Sequence, residues 1–248
     1  MRQFSAPHLA ALAVLAIFGA GSVYLARRAR RPVVIAYARG LAVLIAAGWA
    51  GEYLADVLNG IWSVRYDLPL QLTDAVSVTA AIALWTRRQL AIELTFFWSL
   101  SASLQAILTP DLGRSFPSIY YFTYFDYHIG AVVAGCMLVF GWGRYPQPRA
   151  AWRIFAATLA FAAVSETADL ITGGNYMYLR ARPEHNSLLS VMGPWPWYLV
   201  GAGLVGLAML LVLQWIADAV GRRDRRAPAS TVRALRVADT QAEKPTLS

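Results

Sequence analysis

The stretch RPVVIAYARGLAVLIAAGWAGEYLADVLN, Arg31 to Asn59, decides what kind of molecule this is. Between Arg39 and Glu52 it carries no charge, and over about residues 34–57 it supplies the ~20 predominantly apolar residues that cross a hydrocarbon layer. Glu52, Asp56 and Asn59 close it at spacings of i, i+4 and i+7, which puts them on one helix face. An apolar helix with arginine at one end and an acidic stripe at the other is the pattern of a membrane span that faces a polar site.

Six further segments repeat that pattern, at about residues 7–26, 68–86, 90–109, 119–142, 152–172 and 193–217. Composition agrees: 58% of the 248 residues are hydrophobic and only 15% are charged, against roughly a quarter in soluble domains. Mean hydropathy is +0.46. The expected fold is all-α, a seven-transmembrane-helix bundle over residues 1–220, followed by a flexible basic cytoplasmic tail, 221–248. The chain is expected to be a multi-pass protein of the cell membrane.

Arginine sets the orientation. The loops after segments one, three and five hold Arg27, Arg28, Arg30 and Arg31, then Arg87 and Arg88, then Arg144, Arg149 and Arg153. The tail adds Arg222, Arg223, Arg225 and Arg226, while the alternate loops hold only Arg65, Arg114, Arg180 and Arg182. By the positive-inside rule the N-terminus lies outside and the C-terminus in the cytoplasm. The first segment reads as an N-out anchor rather than a cleaved signal peptide, because its charge cluster follows the apolar core. The net charge of +8 is explained by this topology and by anionic headgroups, so it does not call for nucleic acid.

Threaded this way, the polar residues of the segments gather at the outer end. Gln71, Thr73 and Asp74 open segment three, Gln105 and Asp111 follow segment four, Asp126 and His128 open segment five, and Glu166 and Asp169 close segment six. Polar groups in hydrocarbon are costly, so their convergence on one leaflet predicts one site. Glu166 and Asp169 share a helix face, as do Tyr121, Tyr124 and His128, whereas Asp126 points away from His128. Each carboxylate also has a plainer reading as a helix cap or an arginine partner. Glu93 and Arg39 lie instead near the cytoplasmic end and read as an ion pair or as snorkelling groups.

Turn residues place the outer loops. Thr109-Pro110-Asp111-Leu112-Gly113 joins segments four and five, and Thr172-Gly173-Gly174-Asn175 ends segment six. The longest outer connection follows, through Tyr176, Met177, Tyr178 and Arg180, and is well placed to cap a site. Segment seven opens Gly193-Pro194-Trp195-Pro196-Trp197-Tyr198, where Trp195 and Trp197 suit the headgroup level.

Several chemistries lack their residues. Cys136 is the lone cysteine, so no intrachain disulfide forms and no cysteine-based metal framework exists. His8, His128 and His185 share no ligand spacing, and no metal or other cofactor is called for. A retinal Schiff base has no lysine in segment seven, since the single lysine is Lys244.

Leu68-Pro69-Leu70-Gln71-Leu72-Thr73-Asp74, Gln105 to Asp111, His128, the Asn175 to Arg180 run with Ser187-Leu188-Leu189, and Gly193-Pro194-Trp195-Pro196-Trp197-Tyr198 resemble the YwaF-like bacterial integral membrane proteins over about residues 45–215. That family is distantly similar to a vertebrate transmembrane cysteine acyltransferase of ether phospholipids, and more remotely to membrane hydrolases that use a threonine and a histidine on lipid esters. Where relatives read Leu-Pro-Leu-His-Leu-Cys, this chain has Gln71 for the histidine and Thr73 for the cysteine. The resemblance implies a lipid acyltransferase or lipid-ester hydrolase in which Thr73 attacks, His128 is the base, and Asp74 or Glu166 orients it. Gln71 or Asn175 would donate to the oxyanion, and Gln105, Asp126, Asp169, Tyr176, Arg180, Trp195 and Trp197 would bind the lipid. Two alternatives stand beside it: a non-catalytic binder of lipid or of an envelope precursor, or a partner in a membrane complex; and a transporter, which the apolar inner halves of segments five and seven disfavour.

Overall fold

The computed structural model describes residues 1–183 and 188–226. Among them every regular element is a helix. Six helices are long and apolar enough to cross a membrane: α1 (Ala6–Arg28), α2 (Arg31–Leu58), α4 (Gln89–Leu108), α5 (Ile119–Gly141), α6 (Ala150–Thr172) and α7 (Trp197–Arg226). The remaining one, α3 (Leu72–Thr86), has 15 residues. At 1.5 Å per residue it is roughly 22 Å long, short of the ~30 Å hydrocarbon thickness.

Local chemistry fixes these ends. Pro7 and Pro32 occupy the first turns of α1 and α2, where their missing N–H costs nothing. The third segment starts later than its apolar run suggests because the Asp74 carboxylate accepts the Gln71 backbone N–H at 2.9 Å, capping the helix after Pro69 rather than before it. Gly173, at φ 70°, ends α6 as the Gly-Gly pair predicts. Helix α7 begins only at Trp197, after the two prolines, and continues to Arg226, so residues 221–226 of the expected tail are helical. Residues 227–248 lie outside the described residues.

Helix α5 is the axle of the bundle. It is the most buried of the spans and packs most extensively on α2, whereas α1, α6 and α7 turn much of their apolar surface outward. Two π-helical turns interrupt the packing, Ser99–Ser103 in α4 and Met137–Gly141 in α5. The first demands a glycine opposite, since a Cβ on Gly135 would meet Ser99 Oγ at 2.7 Å and Phe96 Cα at 3.3 Å. Small residues bring α2 and α5 together as well: a Cβ on Gly130 would come within 2.6 Å of Ile45.

Tyrosines tie the polar ends of the helices to one another. Tyr120 on α5 donates to Asp56 near the end of α2 at 2.9 Å, and Tyr124 on α5 donates to the Ala106 carbonyl of α4 at 2.9 Å. At the opposite end Arg153 of α6 pairs with Glu93 of α4 at 2.8 Å, and Arg27 of α1 with Asp224 of α7 at 3.2 Å. Glu93 thus takes the ion-pair reading, while Arg39 lies 5.2 Å from the Trp85 ring centroid. The polar end and the arginine-rich end are on opposite sides of the bundle.

Candidate functional site

Helix α2 builds one wall of the site. Trp49, Glu52, Tyr53 and Asp56 follow one another at helical spacings and together line a cavity of about 110 Å³. The loop before α3 adds Tyr66, Asp67 and Leu68, α3 adds Thr73 and Asp74 with Gln71 at its cap, and α5 adds Tyr127. Asp74 is 6% exposed and accepts the Trp49 indole N–H at 3.1 Å in addition to the Gln71 N–H, and the Tyr53 phenol also faces it. The Tyr127 and Thr123 hydroxyls approach the Glu52 carboxyl, whose Oε2 has neither accessible surface nor a hydrogen-bond partner.

Asp67 closes the mouth. Its carboxylate accepts the Ser63 backbone N–H at 2.7 Å. Burial raises its pKa above the ordinary aspartate value, the Ser63 bond opposes this, and the charge of Asp56 adds to it. No ion pair reaches any of the cavity's four carboxylates among the described residues. Arg65 lies over Tyr66 and Arg114 over Tyr120.

The connection after α6 is stitched onto the residues that line this cavity. Asp169, 1% exposed, accepts the Tyr176 N–H at 2.8 Å. The Tyr176 phenol then donates to the Val64 carbonyl at 2.7 Å and accepts the Leu68 N–H at 2.9 Å, so one side chain holds the loop that lines the cavity. Met177 N–H donates to Gln71 Oε1 at 2.9 Å, and Ser165 on α6 donates to the Leu70 carbonyl at 3.0 Å. Asn175 spends its amide within its own loop, accepting from Arg180 and Ala181 and donating to the Ala181 carbonyl. Tyr178 reaches Asp111 at 3.2 Å, and burial followed by that negative charge pushes its phenol up to about 12.

The structure therefore sorts the predicted site residues. Thr73, Asp74 and Gln71 meet in the cavity wall. His128 does not line it: the imidazole is 2% exposed, packed between Tyr124 and Tyr127 with ring centroids at 4.4 and 4.3 Å, and its Nδ1 has no hydrogen-bond partner. No hydrogen bond joins it to Thr73, Asp74 or Glu166 among the described residues. Glu166 pairs instead with Arg180 at 2.7 Å, both near 40% exposed, a pair that contributes little stability.

The other predicted binders serve local ends. Gln105 donates to Thr109 at 2.9 Å, and Asp126 sits against α2, where a Cβ on Gly48 would fall 2.1 Å from its Oδ2. Trp195 donates to the Leu179 carbonyl at 3.1 Å, and Trp197 is 67% exposed, as a headgroup-level anchor should be.

A family model of transmembrane proteins, the TMEM164 family, matches residues 3–214, which takes in α1 to α6, the first part of α7 and all of the cavity. The chain belongs to the TMEM164 family. No curated protein and no solved structure matches it. Membership of the TMEM164 family and six apolar spans make this a membrane protein.

Sequence reasoning missed the aromatic half of the cavity. Trp49, Tyr53, Tyr127 and Asp67 are not singled out by the sequence reading, yet all four line the cavity. The signal for two of them was present: Trp49 and Tyr53 share the helix face of Glu52 and Asp56.

Proposed function

We propose that this TMEM164-family protein is a seven-span protein of the cell membrane, N-terminus outside, whose outward-facing cavity binds a membrane lipid. The observation that carries the reading is the cavity itself, which gathers Glu52, Asp56, Asp67, Asp74 and Thr73 at the end of the bundle opposite the arginine clusters. The positive-inside rule puts that end outside. α3 is the seventh span in this reading, and its ~22 Å length suits a helix whose capped end, at Gln71, stands in a polar cavity rather than in lipid. Polar and aromatic lining at the level of the headgroups is what a lipid site requires.

Acyl transfer is the second reading, favoured by one observation: Thr73 lines the cavity, at the position where the resemblance to YwaF-like proteins would put a cysteine. Its Oγ1 would form an ester bond with the acyl carbon, the bond to the lipid oxygen would break, and the hydroxyl proton would pass to that leaving oxygen through a base. His128 could serve only after Tyr127 moves, and the carboxylates that share the cavity stand ready without such a change.

Mass spectrometry of intact lipids on protein purified in mild detergent separates the two. An unmodified lipid retained equally by wild type and Thr73→Ala supports binding. Lipid turnover or an acyl-threonine, abolished in Thr73→Ala and in His128→Ala, supports transfer. A protein that retains no lipid and turns none over would overturn both.

A further inference from the structure

We propose that the cavity takes an alkylammonium group, borne by a zwitterionic lipid headgroup or by a free amine. The inference rests on the lipid-site reading for its location and on the cavity's chemistry for its ligand.

Charge comes first. Glu52, Asp56, Asp67 and Asp74 line one small space with no ion pair among the described residues. Carboxylates withdrawn from water without a counter-charge are costly, and such a set is ordinarily paired or binds a cation. Glu52 makes the deficit specific: the Tyr127 and Thr123 hydroxyls approach its carboxyl, yet its Oε2 has no hydrogen-bond partner among the described residues, and no cation reaches it. Arg65, two residues from Asp67, lies over the Tyr66 ring and pairs with none of the four among the described residues.

The walls, independently, identify the kind of cation. Trp49, Tyr53 and Tyr127 line the same space, while Tyr66, the fourth aromatic residue of the lining, already carries Arg65 over its ring. Aromatic faces attract weakly hydrated organic ammonium groups, and an aromatic cage with acidic members is the recognised arrangement for methylated or alkylated nitrogen. A calcium or magnesium ion asks for six or more converging oxygens and gains nothing from ring faces. Among the described residues no three His, Cys, Asp or Glu side chains converge closely enough to hold a metal ion.

Size and place agree. About 110 Å³ is well below the several hundred Å³ of sites that enclose a whole drug-sized ligand. It admits a headgroup and excludes acyl chains. The cavity opens between the end of α2 and the capped start of α3, where headgroups lie while chains rest against the exposed apolar helices.

The test uses the full-length protein in non-ionic detergent, with Trp49 as the reporter. Tetramethylammonium and choline are titrated against tryptophan fluorescence and thermal stability, beside 3,3-dimethylbutan-1-ol, the uncharged shape of choline, and beside calcium and magnesium. The expected result is saturable binding of both ammonium ions, none of the alcohol, and at least tenfold weaker binding in Glu52→Gln and in Tyr53→Leu, with both variants eluting as folded protein. Trp49→Phe should silence the fluorescence change while leaving a thermal shift. Binding of the alcohol as tight as that of choline, or displacement of ammonium by divalent cations at lower concentration, would overturn the proposal, as would no binding at all.

Nanodiscs holding equal phosphatidylcholine and phosphatidylglycerol separate the sources. Retention of phosphatidylcholine on the purified protein assigns the cage to a headgroup, and ammonium binding without that preference assigns it to a free amine. Lipid retained with no headgroup preference and no ammonium binding defeats the cage but leaves the lipid site standing. Ammonium binding to a protein that retains no lipid does the reverse.

Discussion

The two ends of this bundle treat buried carboxylates in opposite ways. At the arginine-rich end Glu93 is 1% exposed and saturated: Arg153 reaches its Oε2 at 2.8 Å, while the Gln147 N–H and the Gln89 amide reach its Oε1 at 2.8 and 3.1 Å. At the other end four carboxylates share a cavity, and among the described residues no arginine pairs with them. A carboxylate that is fully paired holds helices together. One left without a counter-charge is retained at a cost to stability, which makes it the better candidate for binding.

Breaking the paired end should have the largest effect. Arg153→Met leaves Glu93 as an uncompensated buried charge between α4 and α6, and should cost about 3 kcal/mol, the lower end of what broken buried pairs lose, because Arg153 is partly exposed and two N–H donors remain. Unfolding of the detergent-solubilised protein checks this. A loss no greater than that of an exposed pair such as Arg180–Glu166 would erase the contrast between the ends.

Tyr176→Phe comes next. It deletes one donor to the Val64 carbonyl and one acceptor for the Leu68 N–H, both part-buried, so a loss of about 2 kcal/mol is expected at roughly 1 kcal/mol per bond. Hydrogen exchange should accelerate in residues 63–70 while the Glu93 end stays protected. Equal acceleration at both ends would mean that Tyr176 supports the whole bundle rather than the mouth of the cavity.

How much of this could be read beforehand follows the same division. Periodicity and arginine placement made the helices and their two chemically distinct ends legible, because bilayer thickness and charge asymmetry act on the sequence directly. Partner choice was not legible. Glu93 and Glu52 are each one glutamate in an apolar helix, and only the fold brings Arg153 to one and Tyr127 to the other. Helical phase put Tyr124 on the face of His128, but it could not reveal that Tyr127 packs on the imidazole as well, or that Asp169 and Asn175 hold a loop. The late start of α3 depended on a single capping carboxylate, which an average over apolar residues does not register.

Glu52→Gln sharpens the comparison by reversing its sign. Replacing an unpaired carboxylate with a neutral side chain of the same shape should stabilise the protein by about 1 kcal/mol, while ligand binding in the cavity is lost. The equivalent Glu93→Gln should destabilise it. If both changes destabilise equally, the cavity carboxylates are structural too.

Acidity gives a smaller effect with a defined direction. Asp67 has a raised pKa in the folded protein, so the folded state takes up its proton before the unfolded state does. Its contribution should therefore make the protein more stable as pH falls through that raised value toward 3.8, and Asp67→Asn should remove this part of the pH profile. Cation binding runs the other way, weakening as Asp67 gains its proton. A stability profile unchanged by Asp67→Asn would place Asp67 outside the cavity's electrostatics.

Thr73→Ala should have the least effect on stability, within about 0.5 kcal/mol, since among the described residues the Thr73 hydroxyl has no hydrogen-bond partner and the side-chain bond at this residue, from Ser77, goes to its backbone carbonyl. That small expectation is what makes the variant decisive for chemistry. A nucleophile needs a base within reach, and the imidazole expected to serve is enclosed by Tyr124 and Tyr127 on the far side of the cavity wall. If retained lipid and its headgroup preference survive Thr73→Ala unchanged, the acids and aromatics do the binding and the hydroxyl is a bystander. If turnover disappears while folding and lipid retention persist, Tyr127 must yield to let His128 in, and Tyr127→Ala should then alter the rate where Thr73→Ala abolishes it.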